Sequence, residues 1–89
     1  MPHVRFTQNI QRHVSCPPRT VDGASLRRVL DAYFEGNAAA RGYVLDDQGA
    51  LRRHMAIFIN GEPLQDRTRL ADAIPADATI DILQALSGG

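Results

Sequence analysis

The chain has 89 residues, enough for one domain, and its ten basic and ten acidic side chains cancel to a formal net charge of zero. A chain this short buries about 60–65% of its unfolded surface, which leaves little room for a deep substrate cleft. Zero net charge argues against a strong electrostatic grip on nucleic acid or on an anionic membrane. All ten basic residues are arginine, as a GC-rich genome would favour. No side-chain amine can therefore receive an isopeptide bond, and the chain cannot build lysine-linked polymers of itself. The one cysteine, Cys16, cannot form an internal disulfide. No apolar run approaches the length of a transmembrane helix. The start Met1-Pro2-His3-Val4-Arg5 lacks the basic-then-apolar plan of a signal peptide, so a cytoplasmic protein is the expectation.

Val4, Phe6 and Ile10 alternate with Arg5, Thr7 and Asn9. This period of two predicts a strand with one buried face, continued weakly by Val14 and Cys16. Pro17-Pro18 interrupts it, and Arg19–Asp22 reads as a short returning strand. The turn between the two strands falls somewhere in Asn9–Pro18. Ser25 is a good N-cap. After it, Leu26, Val29, Leu30 and Tyr33 recur at helical spacing, the clearest such stripe in the chain. Arg27, Arg28, Asp31 and Glu35 take the opposite face, and Gly36-Asn37 ends the helix at a left-handed cap.

Ala38–Arg41 reads as one further helical turn, and Asp46-Asp47-Gln48-Gly49 as a turn cluster. His54–Ile59 is the strongest strand signal. Asn60-Gly61 closes it as a type I′ turn, and Glu62-Pro63-Leu64 follows as a short edge piece. Leu70, Ala73 and Ile74 predict a short helical turn before Pro75. Thr79–Leu86 reads as the last strand, with Ile80 and Ile82 facing the core. One helix against a small mixed sheet of four to five strands gives an α+β layer pair with one sheet face bare. On that bare face Ala56 and Phe58 point outward, and Phe58 is a candidate partner contact.

The sequence ends Leu86-Ser87-Gly88-Gly89. Two glycines without Cβ atoms make a slender stalk that can thread a tunnel too narrow for a side chain. Four extended residues reach about 13 Å at about 3.3 Å each. Residues 1–86 form the expected domain and 87–89 a flexible tail.

The strand order, the Asn60-Gly61-Glu62 turn, the Asp77-x-x-Ile80-x-Ile82 strand and the Ser87-Gly88-Gly89 end together resemble the ubiquitin-like sulfur carriers, the ThiS/MoaD family, over nearly the whole chain. The segment Leu45–Arg53 is most similar to the cysteine-pathway carrier and the longer molybdopterin-type members. Gln84 stands where many members carry proline. The resemblance implies a β-grasp fold. It also implies a protein co-substrate, not an enzyme, whose terminal carboxylate on Gly89, with Gly88 as its neighbour, is adenylated and then converted to a thiocarboxylate that donates sulfur. The implied partners are an E1-like adenylyltransferase of the MoeB/ThiF type that uses ATP, a sulfur donor and an acceptor enzyme, with Phe58, Leu86 and Ser87 in the contact. The carrier itself binds no cofactor. The pathway served, whether cysteine, molybdopterin, thiamine or another sulfur metabolite, stays open.

Other candidates are weaker. Cys16 reads as an ordinary half-buried thiol. His3, His13 and His54 lack metal-site spacing, and Asp46-Asp47 lacks the further ligands of a calcium loop. Arg52-Arg53 and Arg67-x-Arg69 read either as a basic rim for an acidic partner or as solvated loop residues. Neither a phosphate loop nor a nucleophile–base constellation is present. Two alternative functions stay open: a ubiquitin-like modifier joined through Gly89 to lysines of other proteins, or a non-covalent β-grasp binding module.

Overall fold

A computed structural model describes residues 1–85. Its elements are β1 (His3–Phe6), α1 (Gln8–Gln11), β2 (Arg19–Thr20), α2 (Leu26–Phe34), α3 (Ala38–Val44), β3 (Met55–Ile59), β4 (Glu62–Pro63) and β5 (Thr79–Gln84). The expected strand over Thr79–Leu86 is described to Gln84; residues 86–89, including the predicted tail, lie outside the described residues. The strands form one five-stranded sheet in the order β2-β1-β5-β3-β4. β1 and β5 run parallel at its centre, with Val4 opposite Ile80 and Phe6 opposite Ile82. All other strand pairs are antiparallel.

The core lies between the sheet and α2. Val4, Ile10, Leu26, Val29, Leu30, Tyr33, Ile80 and Ile82 are fully buried, and Ile57 and Met55 nearly so. The helical stripe predicts this, because Leu26, Val29, Leu30 and Tyr33 share one face. Phe34 joins them, its ring edge-on to Tyr33 at 5.4 Å. The Ser25 hydroxyl accepts from the Arg28 N–H at 3.3 Å, the expected cap. Gly36, at φ 76°, carries the chain out of α2. Asn60 and Gly61, at φ 50° and 84°, form the expected type I′ turn between β3 and β4.

Four expectations change. Ile10 does not extend β1. It sits in the one-turn helix α1 and reaches the core from there. Val14 and Cys16 belong to the loop that follows, and Cys16 is fully buried, not half-buried. Burial raises its thiol pKa, which makes it a poor nucleophile. The helical turn at Ala38–Arg41 runs on to Val44, because the Asn37 side chain caps it by accepting from the Ala40 N–H at 3.2 Å.

The helical turn expected at Leu70–Ile74 does not form. Leu70 takes a positive φ of 57°, outside the helical region. Its side chain and that of Ile74 are still buried, so the apolar spacing marks core positions along an irregular loop. Two carboxylates hold that loop. Asp66 accepts backbone N–H bonds from Thr68, Arg69 and Ala71. Asp72 accepts from Gln65 and Asp66. The backbone N–H of Arg69 is the main cause that holds the Asp66 carboxyl below its ordinary range.

The Tyr33 hydroxyl donates to the Pro17 carbonyl oxygen, which ties the β1–β2 loop to α2. Burial pushes its pKa up to about 12. A raised folded-state pKa gives stability that is complete below the unfolded value of about 10 and is lost as pH climbs from there toward 12. In denaturant titrations between neutral pH and pH 12, Tyr33→Phe is expected to cost about 1–2 kcal/mol at neutral pH. The gap to the unaltered protein should narrow in the alkaline window, and a constant gap would exclude the linkage.

Candidate functional site

The described body ends at the sheet's centre. The Ala85 N–H donates to the His54 carbonyl oxygen at 2.7 Å, the last bond between the β5 and β3 sides among the described residues. The site expected from the sequence therefore has two described parts: the end of β5, which precedes residues 86–89 in sequence, and the outer face of the sheet.

The end of β5 contacts α1 and is bonded to α3. Met55 faces Gln84 across the antiparallel pair. The half-buried Gln84 side chain offers Oε1 to two donors, the Tyr43 hydroxyl at 3.1 Å and the Asn9 Nδ2 at 3.5 Å. The His13 ring stacks on Tyr43 with centroids 6.0 Å apart and planes 15° from parallel. His13 thus serves an aromatic contact from the loop after α1. Among the described residues no group of three or more His, Cys, Asp or Glu side chains converges on a metal-sized site.

Two of the four rim arginines are committed to backbone. Arg67 Nη2 donates to the carbonyl oxygens of Arg52, Arg53 and Met55 at 2.9, 3.4 and 2.7 Å. Arg52 Nε donates to the Gly42 carbonyl at 2.9 Å. These bonds clip the 52–55 segment, and with it the His54 carbonyl, to the loop beyond β4 and to α3. The basic-rim reading fails for Arg52 and Arg67, which serve as carbonyl clamps. Arg53 and His54 are exposed beside them. Asp46 binds the N–H groups of Gln48 and Ala50 at 2.8 and 3.0 Å, which is the work of a turn carboxylate.

On the outer sheet face, Phe58 is flanked across the strands by Pro63 on β4 and Asp81 on β5, and Ala56 by Leu83. Phe58, Ala56 and Leu83 are half-buried and Pro63 is exposed. Arg5 borders them, its Nε and Nη2 bonded to the two carboxylate oxygens of Asp81 at 2.8 and 3.1 Å. A short apolar row with a neutralised ion pair at its border thus occupies the face that periodicity assigns to Phe58. Of the predicted site residues Phe58 is described; Leu86, Ser87, Gly88 and Gly89 lie outside the described residues.

The central parallel pair of first and last strands, the crossing α2 and the β2-β1-β5-β3-β4 order occur together in known proteins. A chain of the Amycolatopsis orientalis BexX/CysO complex superposes with a TM-score of 0.81 at 19% identity, covering 100% of both chains. CysO of Mycobacterium tuberculosis gives 0.79 at 21% identity, covering 97% of this chain and 100% of that one. SAMP1 of Haloferax volcanii gives 0.76 at 25% identity, covering 99% and 98%. The chain has the ubiquitin-like β-grasp fold. The solved structures it matches are ubiquitin-like proteins of the sulfur-carrier or modifier type, the kind its sequence resembles. No protein-family model and no curated protein matches this β-grasp chain.

Sequence reasoning missed the roles of Tyr43 and Asn9, and it placed Arg67 on a rim or in solvent, not on carbonyls. Asn9 and Tyr43 meet Gln84 from 75 and 41 positions away, and no local pattern reports such a meeting. Arg67→Met keeps the aliphatic stem and strips the donors from three carbonyls. It should lower stability by about 1–2 kcal/mol in urea titration. Arg67→Lys should recover part of that loss at most, because one ammonium cannot reproduce the planar guanidinium's reach; full recovery would refute the clamp.

Proposed function

We propose that this β-grasp protein carries sulfur on the carboxylate of Gly89. A carboxylate is a poor electrophile and needs activation. A carboxylate oxygen attacks the α-phosphorus of ATP, pyrophosphate leaves, and the glycyl carbon is joined to AMP. A sulfur nucleophile at the oxidation level of sulfide then adds to that carbonyl and expels AMP, leaving a thiocarboxylate for transfer. An E1-like adenylyltransferase supplies the nucleotide site and excludes water from the acyl-adenylate. The chain supplies the acyl group, its side-chain-free end and a docking surface, and acts as co-substrate.

The observation that carries the reading is that β5, at the centre of the sheet, runs to Gln84, five positions before Gly89. The globular part can dock outside a partner while the last residues reach in, which turns a bimolecular encounter into local chemistry. The likeness to CysO chains, one of them in complex with BexX, supports it at the level of fold. The row of Phe58, Ala56 and Leu83 is the docking surface that this reading uses, with Leu86 and Ser87 as further contacts.

A second reading has its own support, because a structure of similar fold is the small archaeal modifier protein 1 of Haloferax volcanii. Attachment through Gly89 to lysines of other proteins begins with the same adenylation. The two readings part at the next step, when a thiocarboxylate or an amide forms.

Co-expression with an E1-like activator and a sulfur source should yield intact protein with one oxygen replaced by sulfur. Lysine-linked adducts in place of that product would favour the modifier, and unmodified carboxylate beside a verified activator would defeat both. Deleting Gly89 should abolish activation with the thermal midpoint unchanged. Phe58→Asp should raise KM for activation by about tenfold or more, at a kcat near that of the unaltered protein. If both constants stay put, the sheet face is not the docking surface.

A further inference from the structure

The side chain of Gln84 is unusual in its company. It belongs to the last residue of the central strand β5, yet its polar end turns toward the two helical elements that pack against that strand's end. One carboxamide oxygen receives the Tyr43 hydroxyl from the end of α3 and the Asn9 amide from α1. The donors come from two separate elements, at 3.1 Å from α3 and 3.5 Å from α1, so both tie the carboxamide to the helical layer. His13 stacks on the Tyr43 ring and restricts its swing. One bond further on, the Ala85 N–H closes the ladder on the His54 carbonyl. That carbonyl belongs to the segment clipped by Arg67.

Strand ends fray when nothing but the ladder holds them, because the terminal bond opens at little cost. A side-chain anchor at the penultimate position opposes this by making local opening break extra hydrogen bonds. We propose that Tyr43, Asn9 and Gln84 form a positioning clamp that fixes the end of β5 at Gln84 and Ala85, and so sets the geometry from which the residues that follow in sequence are presented to an activating partner. The three are positioning residues; none touches the reacting carboxylate. The effect on activation rests on the sulfur-carrier reading, whereas the clamp itself is a property of the free protein and is tested there first.

Amide hydrogen exchange by NMR, read at Ala85, reports the clamp. Tyr43→Phe keeps the ring and its stacking and removes the donor. Gln84→Met keeps the unbranched length and removes the acceptor. Each should speed Ala85 exchange by about tenfold. The double variant should exchange no faster than the faster single one, because both changes break the same contact. Gln84→Glu retains an acceptor oxygen and should restore protection. The His3 and Asn60 amides, bonded to Ala78 and Thr79 at the opposite end of β5, should keep their rates. Unchanged Ala85 exchange, additive effects in the double variant, or equal acceleration of the His3 and Asn60 amides would overturn the clamp.

With an activator, Tyr43→Phe and Gln84→Met should lower kcat for adenylation several-fold and leave KM within about twofold, since the apolar face is intact. A raised KM with unaltered kcat would refute the positioning role. If the unaltered protein is never adenylated, the functional reading fails, and the exchange experiment still decides the clamp.

Discussion

The parallel pairing of β1 with β5 is the constraint on which the rest of this molecule depends. It joins residues 76 positions apart, His3 with Thr79 through Phe6 with Ile82. Val4 and Phe6 on β1 and Ile80 and Ile82 on β5 bring four buried side chains to the core. Without β5 the sheet has no centre, and α2 has no surface on which to bury Leu26, Val29, Leu30 and Tyr33. Closing so long a loop costs entropy that only the completed apolar layer offsets. The domain is therefore finished only when its last strand is in place, and the same strand carries the chain toward Gly89.

Arginine does structural work here that net charge conceals. Arg67 gathers three carbonyls. Arg27 reaches the carbonyls of Arg69 and Gly49 at 3.3 and 2.9 Å. Arg19 lies over the Tyr33 ring, 5.4 Å from its centroid. These contacts use a planar donor fork on a long stem, which an ammonium cannot imitate. The carboxylates of Asp66 and Asp72 do the complementary job by satisfying backbone N–H groups in the loop between β4 and β5. That loop has no regular structure, so its backbone groups need side-chain partners. Arginines on carbonyls and aspartates on amides together replace the hydrogen bonds that a helix or strand would have provided.

The outer sheet face shows a different balance. The only charge pair bordering the row of Phe58, Ala56 and Leu83 is Arg5 with Asp81 among the described residues, and each neutralises the other through two hydrogen bonds. Such a face can be covered without stranding an unpaired charge. The apolar residues on it are half-buried, which is compatible with solubility alone and with transient docking. Nothing about this arrangement demands a cleft.

Elements with local signals were legible in the residues alone. Alternation placed β1, an apolar run placed β3, the 3–4 spacing placed α2, Ser25 and Asn60-Gly61 placed a cap and a turn, and the residues quoted for the ubiquitin-like resemblance led to the β-grasp order. These succeed because side-chain periodicity and backbone preference act within a few residues. Packing in three dimensions was needed to show that Ile10 reaches the core from a helical turn, that Leu70 and Ile74 are buried from a loop with a left-handed residue, and that Arg52 and Arg67 clamp carbonyls instead of facing a partner. Spacing could not separate these cases, since burial of an apolar side chain is indifferent to the backbone that delivers it. The meeting of Asn9, Tyr43 and Gln84 was equally hidden. It arises where α1 and α3 converge on the end of β5, and convergence of distant segments has no signature in any one of them.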